Sequence, residues 1–140
     1  MKNTIKKVWF TNDKIWISTY DGNVKSLMLE VFPELYYASI HEREDFYLYD
    51  NDRSIRWENI DLDIHISNFF EEISMNYDNE VNRLLSRFPF LDLKEFASYV
   101  DMHWSKLARY KFGVWTPSNG EFEAIKKGIQ TIAKEMLEVV

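Results

Sequence analysis

The chain has no cysteine among its 140 residues, which removes disulfides, zinc–cysteine centres and thiol nucleophiles together. Its four glycines are isolated from one another, so a glycine-rich loop that cradles phosphates is excluded. No uninterrupted apolar run approaches the roughly 18 residues of a membrane span. There is no basic excess either: 23 acidic residues outnumber 17 basic ones, for a net charge of −6. That balance argues against a protein that coats nucleic acid through bulk charge. The opening MKNTIKKVWF carries Lys6 and Lys7 where a secretory leader is apolar. The expectation is a cytoplasmic protein with no membrane association. Apolar and aromatic residues are abundant, at 46% and 16% of the chain. They suffice to bury a core in one domain or two very small ones.

The hydrophobic period changes along the chain. Residues 5 to 29 alternate as strands do, and KIWISTY and NVKSLML flank Asp21-Gly22, a strong two-residue hairpin signal in which both turn residues need positive φ. Asn12-Asp13 turns a first strand, KKVWF, into the second. Pro33 suits the first turn of a helix over PELYYASI. DFYLY and IRW read as strands joined by DNDRS, and DIHI as a last strand before a short helix, SNFFEEI, capped by Ser67. After the stretch EISMNYDNE the period becomes 3.6. A helix over about 78 to 88 presents Val81, Leu84, Leu85 and Phe88 and is stopped by Pro89. Asp92 caps a second helix, with Glu95 at the capping-box position and Leu91 stapled to Phe96. A third helix covers about 104 to 112. The fourth starts at Ser118, with Glu121 completing a capping box, and puts Phe122, Ile125, Ile129, Ile132, Ala133, Met136 and Leu137 on its buried side. Gly128 within it predicts a close helix contact, since glycine there costs about 1 kcal/mol against alanine.

Two stretches carry resemblances. Asp21-Gly22, VFPEL (31–35) with Ala38, and IRWENIDLDIHISNFF (55–70) resemble the domain-of-unknown-function family 2442, small bacterial α+β domains. Phe32, Pro33, Leu35, Trp57, Asp61, Asp63 and Ile64 follow the family pattern; Val31, Glu34, Arg56 and Asn59 depart from it. The resemblance implies a fold without an assigned activity, and an association with toxin–antitoxin-like gene pairs. The second stretch resembles the λ-repressor-like (Xre-type) helix-turn-helix. Ala97 is the small residue where two helices cross, Asp101 replaces that family's usual Gly at the turn position that needs left-handed backbone, and Met102, Leu107 and Tyr110 are the apolar anchors after it. FGVWTPS (112–118) is similar to that family's following loop. Trp104, Val114 and Trp115 stand where polar or basic side chains are common.

The charge pattern agrees with that second resemblance. Between Met102 and Gly120 there is no Asp or Glu, while Lys106, Arg109 and Lys111 are positive; all 23 acids and 14 of the 17 bases lie outside this window. A helix that approaches phosphates must be free of acids on its face. On helix geometry His103, Trp104, Ser105, Ala108 and Arg109 would face the major groove, with Lys106, Lys111, Thr116 and Ser118 nearer the DNA backbone. Arg109 can pair bidentately with guanine.

Other constellations read as structural. Asp50, Asp52, Ser54, Glu58 and Asp61 have the ligand spacing of an EF-hand loop, but Ile55 stands at the obligatory turn glycine and strands flank the segment. Asp61 and Asp63 are better turn residues than a catalytic pair, and His41, His65 and His103 have no metal-ligand spacing. No enzyme activity and no cofactor is expected. Trp9, Trp16, Tyr36, Tyr37, Trp104 and Trp115 are core candidates, and exposure of several together would imply a protein partner. The expected fold class is α+β: a small N-terminal β-hairpin/α+β domain (1–75), then an all-α helix-turn-helix bundle of four helices (76–140). The expected function is a DNA-binding transcriptional regulator, a homodimer on double-stranded DNA, whose N-terminal domain binds a protein partner. The alternative is an antitoxin-like or other protein-interaction module whose helical domain does not bind DNA.

Overall fold

A computed structural model of the chain describes residues 3–139. Met1 and Lys2 of the leader reading, and Val140 at the end of the second expected domain, lie outside the described residues. Two compact units are formed, Met1–Ile73 and Ser74–Val140. Among the described residues no helix is long and apolar enough to cross a membrane.

The first unit is a mixed α+β structure. Strands β1 (Ile5–Phe10), β2 (Lys14–Thr19) and β3 (Val24–Met28) form an antiparallel sheet in that order. A 3-10 turn (Leu29–Val31), helix α1 (Pro33–Tyr36) and helix α2 (Ile40–Glu44) follow. Strands β4 (Tyr47–Tyr49), β5 (Ser54–Trp57) and β6 (Leu62–His65) make a second antiparallel sheet, closed by a 3-10 turn (Ile66–Phe70). Alternation decides which side chains are buried: Ile15 and Ile17 on β2, Ile55 and Trp57 on β5, Leu62 and Ile64 on β6. Trp57 is fully buried, and its indole N–H donates to the Arg43 carbonyl at 2.8 Å. Arg43 in turn donates from Nε to the Leu35 carbonyl at 2.9 Å, so the helices are tied to the second sheet through one aromatic residue. Removing such a ring costs about 3–5 kcal/mol.

Several local expectations are corrected. The segment between β2 and β3 is no two-residue turn: Ser18 pairs with Val24, and only Gly22 has positive φ, at 92°. The Thr19 hydroxyl donates to Asp21 and accepts the Asn23 N–H, giving a wider loop closed by side chains. PELYYASI is broken, because Ser39 opens α2 with its own capping box to Glu42. SNFFEEI is a 3-10 turn rather than an α-helix, and its cap is His65, whose Nδ1 accepts the Ser67 N–H. The DNDRS turn is made by three consecutive left-handed residues, Asp50, Asn51 and Asp52, at φ 55°, 54° and 60°. Asp and Asn tolerate that region better than other side chains.

The second unit holds α3 (Glu80–Ser86), α4 (Leu93–Tyr99), α5 (Trp104–Phe112) and α6 (Asn119–Leu137). Val81, Leu85, Phe96, Ala97, Leu107, Tyr110 and Ile125 form its core. Local capping explains where these helices begin. Asp92 accepts the Glu95 N–H ahead of α4, and Ser118 and Glu121 make a reciprocal capping box ahead of α6. The buried stripe of α6 ends earlier than its spacing implies, for Ala133 is exposed and Met136 and Leu137 are 54% and 86% exposed. Gly113 ends α5 in the left-handed region, at φ 75°, and a Cβ there would collide with the Asn76 backbone.

Gly128 is buried against α4, and a Cβ at this position would collide with Val100 Cγ1. Gly128→Ala is therefore expected to lose about 1 kcal/mol in urea unfolding, because overpacking (about 1–3 kcal/mol) exceeds the helix-propensity gain. Adding Val100→Ala should remove that penalty, so the two substitutions combine non-additively.

Candidate nucleic-acid interface

The joint between α4 and α5 is a tight turn. Asp101 takes left-handed backbone at φ 58°, and the Met102 N–H then donates to the Ala97 carbonyl at 2.9 Å. Ala97 is fully buried at this point, in the core it shares with Leu107 and Tyr110. His103 caps α5, its Nδ1 accepting the Ser105 N–H at 3.2 Å. Leu107 and Tyr110 then fall in the core, leaving His103 exposed and Trp104, Lys106, Arg109 and Lys111 partly exposed.

Not every residue expected to face the groove is open. Ser105 and Ala108 are buried, and the Ser105 hydroxyl lies 2.8 Å from His103 Nδ1 and 3.4 Å from Arg109 Nη1. Trp104 lies under Lys94, whose Nζ is 4.5 Å from its ring centroid. The Arg109 guanidinium is stacked on Trp115, 4.6 Å from the ring centroid, and Trp115 is 48% exposed in the loop after α5. This cation–π contact holds the arginine fork at the surface. Thr116 and Ser118 are exposed on the same loop, Ser118 being occupied as the cap of α6.

Lys106 is engaged within the fold. Its Nζ pairs with Glu121 Oε2 at 2.5 Å, and the Tyr110 hydroxyl donates to the same carboxylate at 2.8 Å. The acid-free window is thus linear only: folding returns its bounding acid to its middle. The sequence signal for this was the capping box, which turns the Glu121 side chain back to the Ser118 N–H at 3.1 Å and so toward α5. The Asn76 and Asn79 contacts carried no such signal. Asn79 Nδ2 donates to the Lys111 carbonyl at 3.0 Å and to the Asn76 carbonyl at 2.8 Å, and Tyr77 meets Phe112 edge-on.

The Lys106 ammonium, then the Ser118 N–H and the Tyr110 hydroxyl, hold the Glu121 carboxyl down to about 2. Folding favours its ionised form, so this contribution to stability is complete above about pH 4.5 and is lost as pH falls toward about 2. Glu121→Gln should lower the thermal midpoint at neutral pH, and its difference from the native chain should close over that interval, as read by circular dichroism.

The first unit presents a polar surface of its own. Arg56 donates to Asp63 Oδ2 at 2.8 Å, Asp61 Oδ1 at 2.9 Å and Glu58 Oε1 at 3.2 Å. Tyr47 and Tyr49, 50% and 40% exposed, donate from their hydroxyls to Glu58 and Asp63 at 2.6 Å each. Hydrogen bonds from Tyr47 and then Arg56 keep the Glu58 carboxyl below its ordinary range. Asp50 and Asp52 belong to the left-handed turn, Ser54 is buried, and among the described residues no three His, Cys, Asp or Glu side chains converge as a metal site.

No curated protein and no solved structure matches the chain. A family profile described as "Protein of unknown function (DUF2442)" matches residues 5–74, half of the sequence, and bears out the resemblance of the first half. The chain belongs to that family.

Proposed function

We propose that the chain is a two-part DNA-binding regulator, in which α4, the Asp101 turn and α5 act as a helix-turn-helix. The observation that carries this reading is the crossing of α4 and α5 around fully buried Ala97 and left-handed Asp101. That crossing holds α5 as a separate, partly exposed helix with its polar end forward, as major-groove readers require. Arg109, braced on Trp115, takes a guanine edge or a phosphate, Lys111 and Thr116 lie toward the backbone, and His103 and Trp104 meet the groove first. Lys106 serves the fold through Glu121 instead. A helix-turn-helix of this kind reads a two-fold site as a homodimer. The first unit supplies the protein-partner surface through Tyr47, Tyr49 and Arg56, residue types that dominate interface hot spots.

A second reading, an antitoxin-like interaction module that does not bind DNA, is favoured by one observation: Lys106 is already neutralised within the chain. The two separate in a salt titration of the full chain on duplexes, one from upstream of its own gene and one of random sequence, followed by anisotropy. The regulator reading expects affinity that falls with salt, a slope reduced by about one when Lys111→Ala removes a phosphate contact, and lost preference for the native duplex in Arg109→Ala. Undetectable binding to both duplexes at low salt, or no effect of either substitution, overturns it in favour of the second reading.

A further inference from the structure

The outer face of the first sheet carries a chemistry that neither α5 nor the Arg56 network uses. Alternation puts Lys7 and Trp9 of β1, Lys14, Trp16 and Ser18 of β2, and Ser26 of β3 opposite the buried side chains Ile15 and Ile17. Trp9 and Trp16 are direct cross-strand partners, with ring planes 8° apart and centroids separated by 6.1 Å. Both are partly exposed. The Trp16 indole N–H is fixed by Thr11 Oγ1 at 2.9 Å, so this ring is held in one orientation. Lys7 Nζ stands 5.5 Å from the Trp9 centroid and Lys14 Nζ 5.6 Å from the Trp16 centroid.

The charge environment is the second observation. Residues 1–73 hold 14 acids and 8 bases, yet no carboxylate extends from this strand face. The nearest acids along the chain, Asp13 and Asp21, lie in the turns and accept hydrogen bonds from Thr11 and Thr19. A sugar-binding platform sets amides and carboxylates beside its rings to meet hydroxyls. Here the flanking groups are ammonium ions, which match phosphates. Flat aromatic seats on a sheet with cations alongside are the two ingredients of single-strand recognition, because every base has a face to stack and every linkage a charge to neutralise.

We propose that this face binds single-stranded nucleic acid, with two bases stacked on Trp9 and Trp16 and the adjoining phosphates held by Lys7 and Lys14. Such binding is tolerant of sequence and steeply dependent on salt. It is independent of the duplex reading of α5, and the test keeps the two apart.

The full chain is titrated into labelled oligo-dT and oligo-U of about 12 nucleotides, within the site sizes usual for such platforms, followed by anisotropy and by tryptophan quenching. Binding to either oligonucleotide that weakens with salt is the expected result, and any preference between them reports the 2′-hydroxyl together with the thymine methyl. Trp16→Ala should weaken it about tenfold, the factor given by 1.4 kcal/mol of stacking. Lys7→Glu with Lys14→Glu, a change confined to the surface and checked for folding by circular dichroism, should remove it at moderate salt. Arg109→Ala should leave it unchanged. No anisotropy change or quenching with either oligonucleotide at low salt, or binding that survives the double charge reversal, overturns the proposal.

Discussion

One backbone dihedral carries the arrangement of the second unit. With Asp101 at φ 58° the chain reverses in a single residue, and the Met102 N–H reaches back to Ala97. Only then do Leu107 and Tyr110 enter the same core as Val81, Leu85 and Phe96. A non-glycine residue in this region costs of order 1 kcal/mol, offset by the apolar burial that follows. Gly128 belongs to the same constraint: α6 comes against Val100, at the end of α4, only because nothing projects from it there. The absence of one side chain and the left turn of another residue therefore fix how three helices meet.

Charge is divided unevenly between the two units. The net charge of −6 resides in the first unit, since residues 74–140 hold nine acids and nine bases. Within each unit single groups collect several partners. Glu121 receives Lys106, Tyr110 and the Ser118 N–H, and Arg56 gathers Glu58, Asp61 and Asp63. Such clusters lie near the surface, so their weight is in orientation: they decide which rings and which cations are presented. Arg109 on Trp115 is the same device with an aromatic in place of an acid.

The parts of this fold that local chemistry controls were readable from the residues. α5 runs over 104–112 as its spacing implies, and α6 opens at the capping box of Ser118 and Glu121. The strands around Trp16 and Ile55 follow their alternation. What escaped depends on contacts distant in sequence. The start of α2 is an exception, since Ser39 and Glu42 form a local capping box inside PELYYASI and its continuation, but the return of Arg43 to the Leu35 carbonyl is encoded by no periodicity. The last turns of α6 have the apolar spacing of a buried helix and find nothing among the described residues to bury against. At the candidate interface the cations were visible as a run, but their engagement was not: the return of Glu121 and the stacking of Trp115 are tertiary facts. The burial of Ser105 and Ala108 likewise could not be read from a helical wheel, because a wheel assigns faces without saying what covers them.

The short segment ahead of α3 does more than connect. Asn76 lies so close to Gly113 that only a hydrogen fits between, Tyr77 rests on Phe112, and the Asn79 amide clasps the Lys111 carbonyl. These residues lie shortly after the boundary at Ile73, and all three grip the end of α5. Mechanically the attachment is a tether: tension applied to the chain at Ser74 would be shared between the far end of α5 and the start of α3, which Asn79 also caps. A load on the connection would therefore bear on the Lys111 carbonyl and the Phe112 ring as well as on the cap of α3.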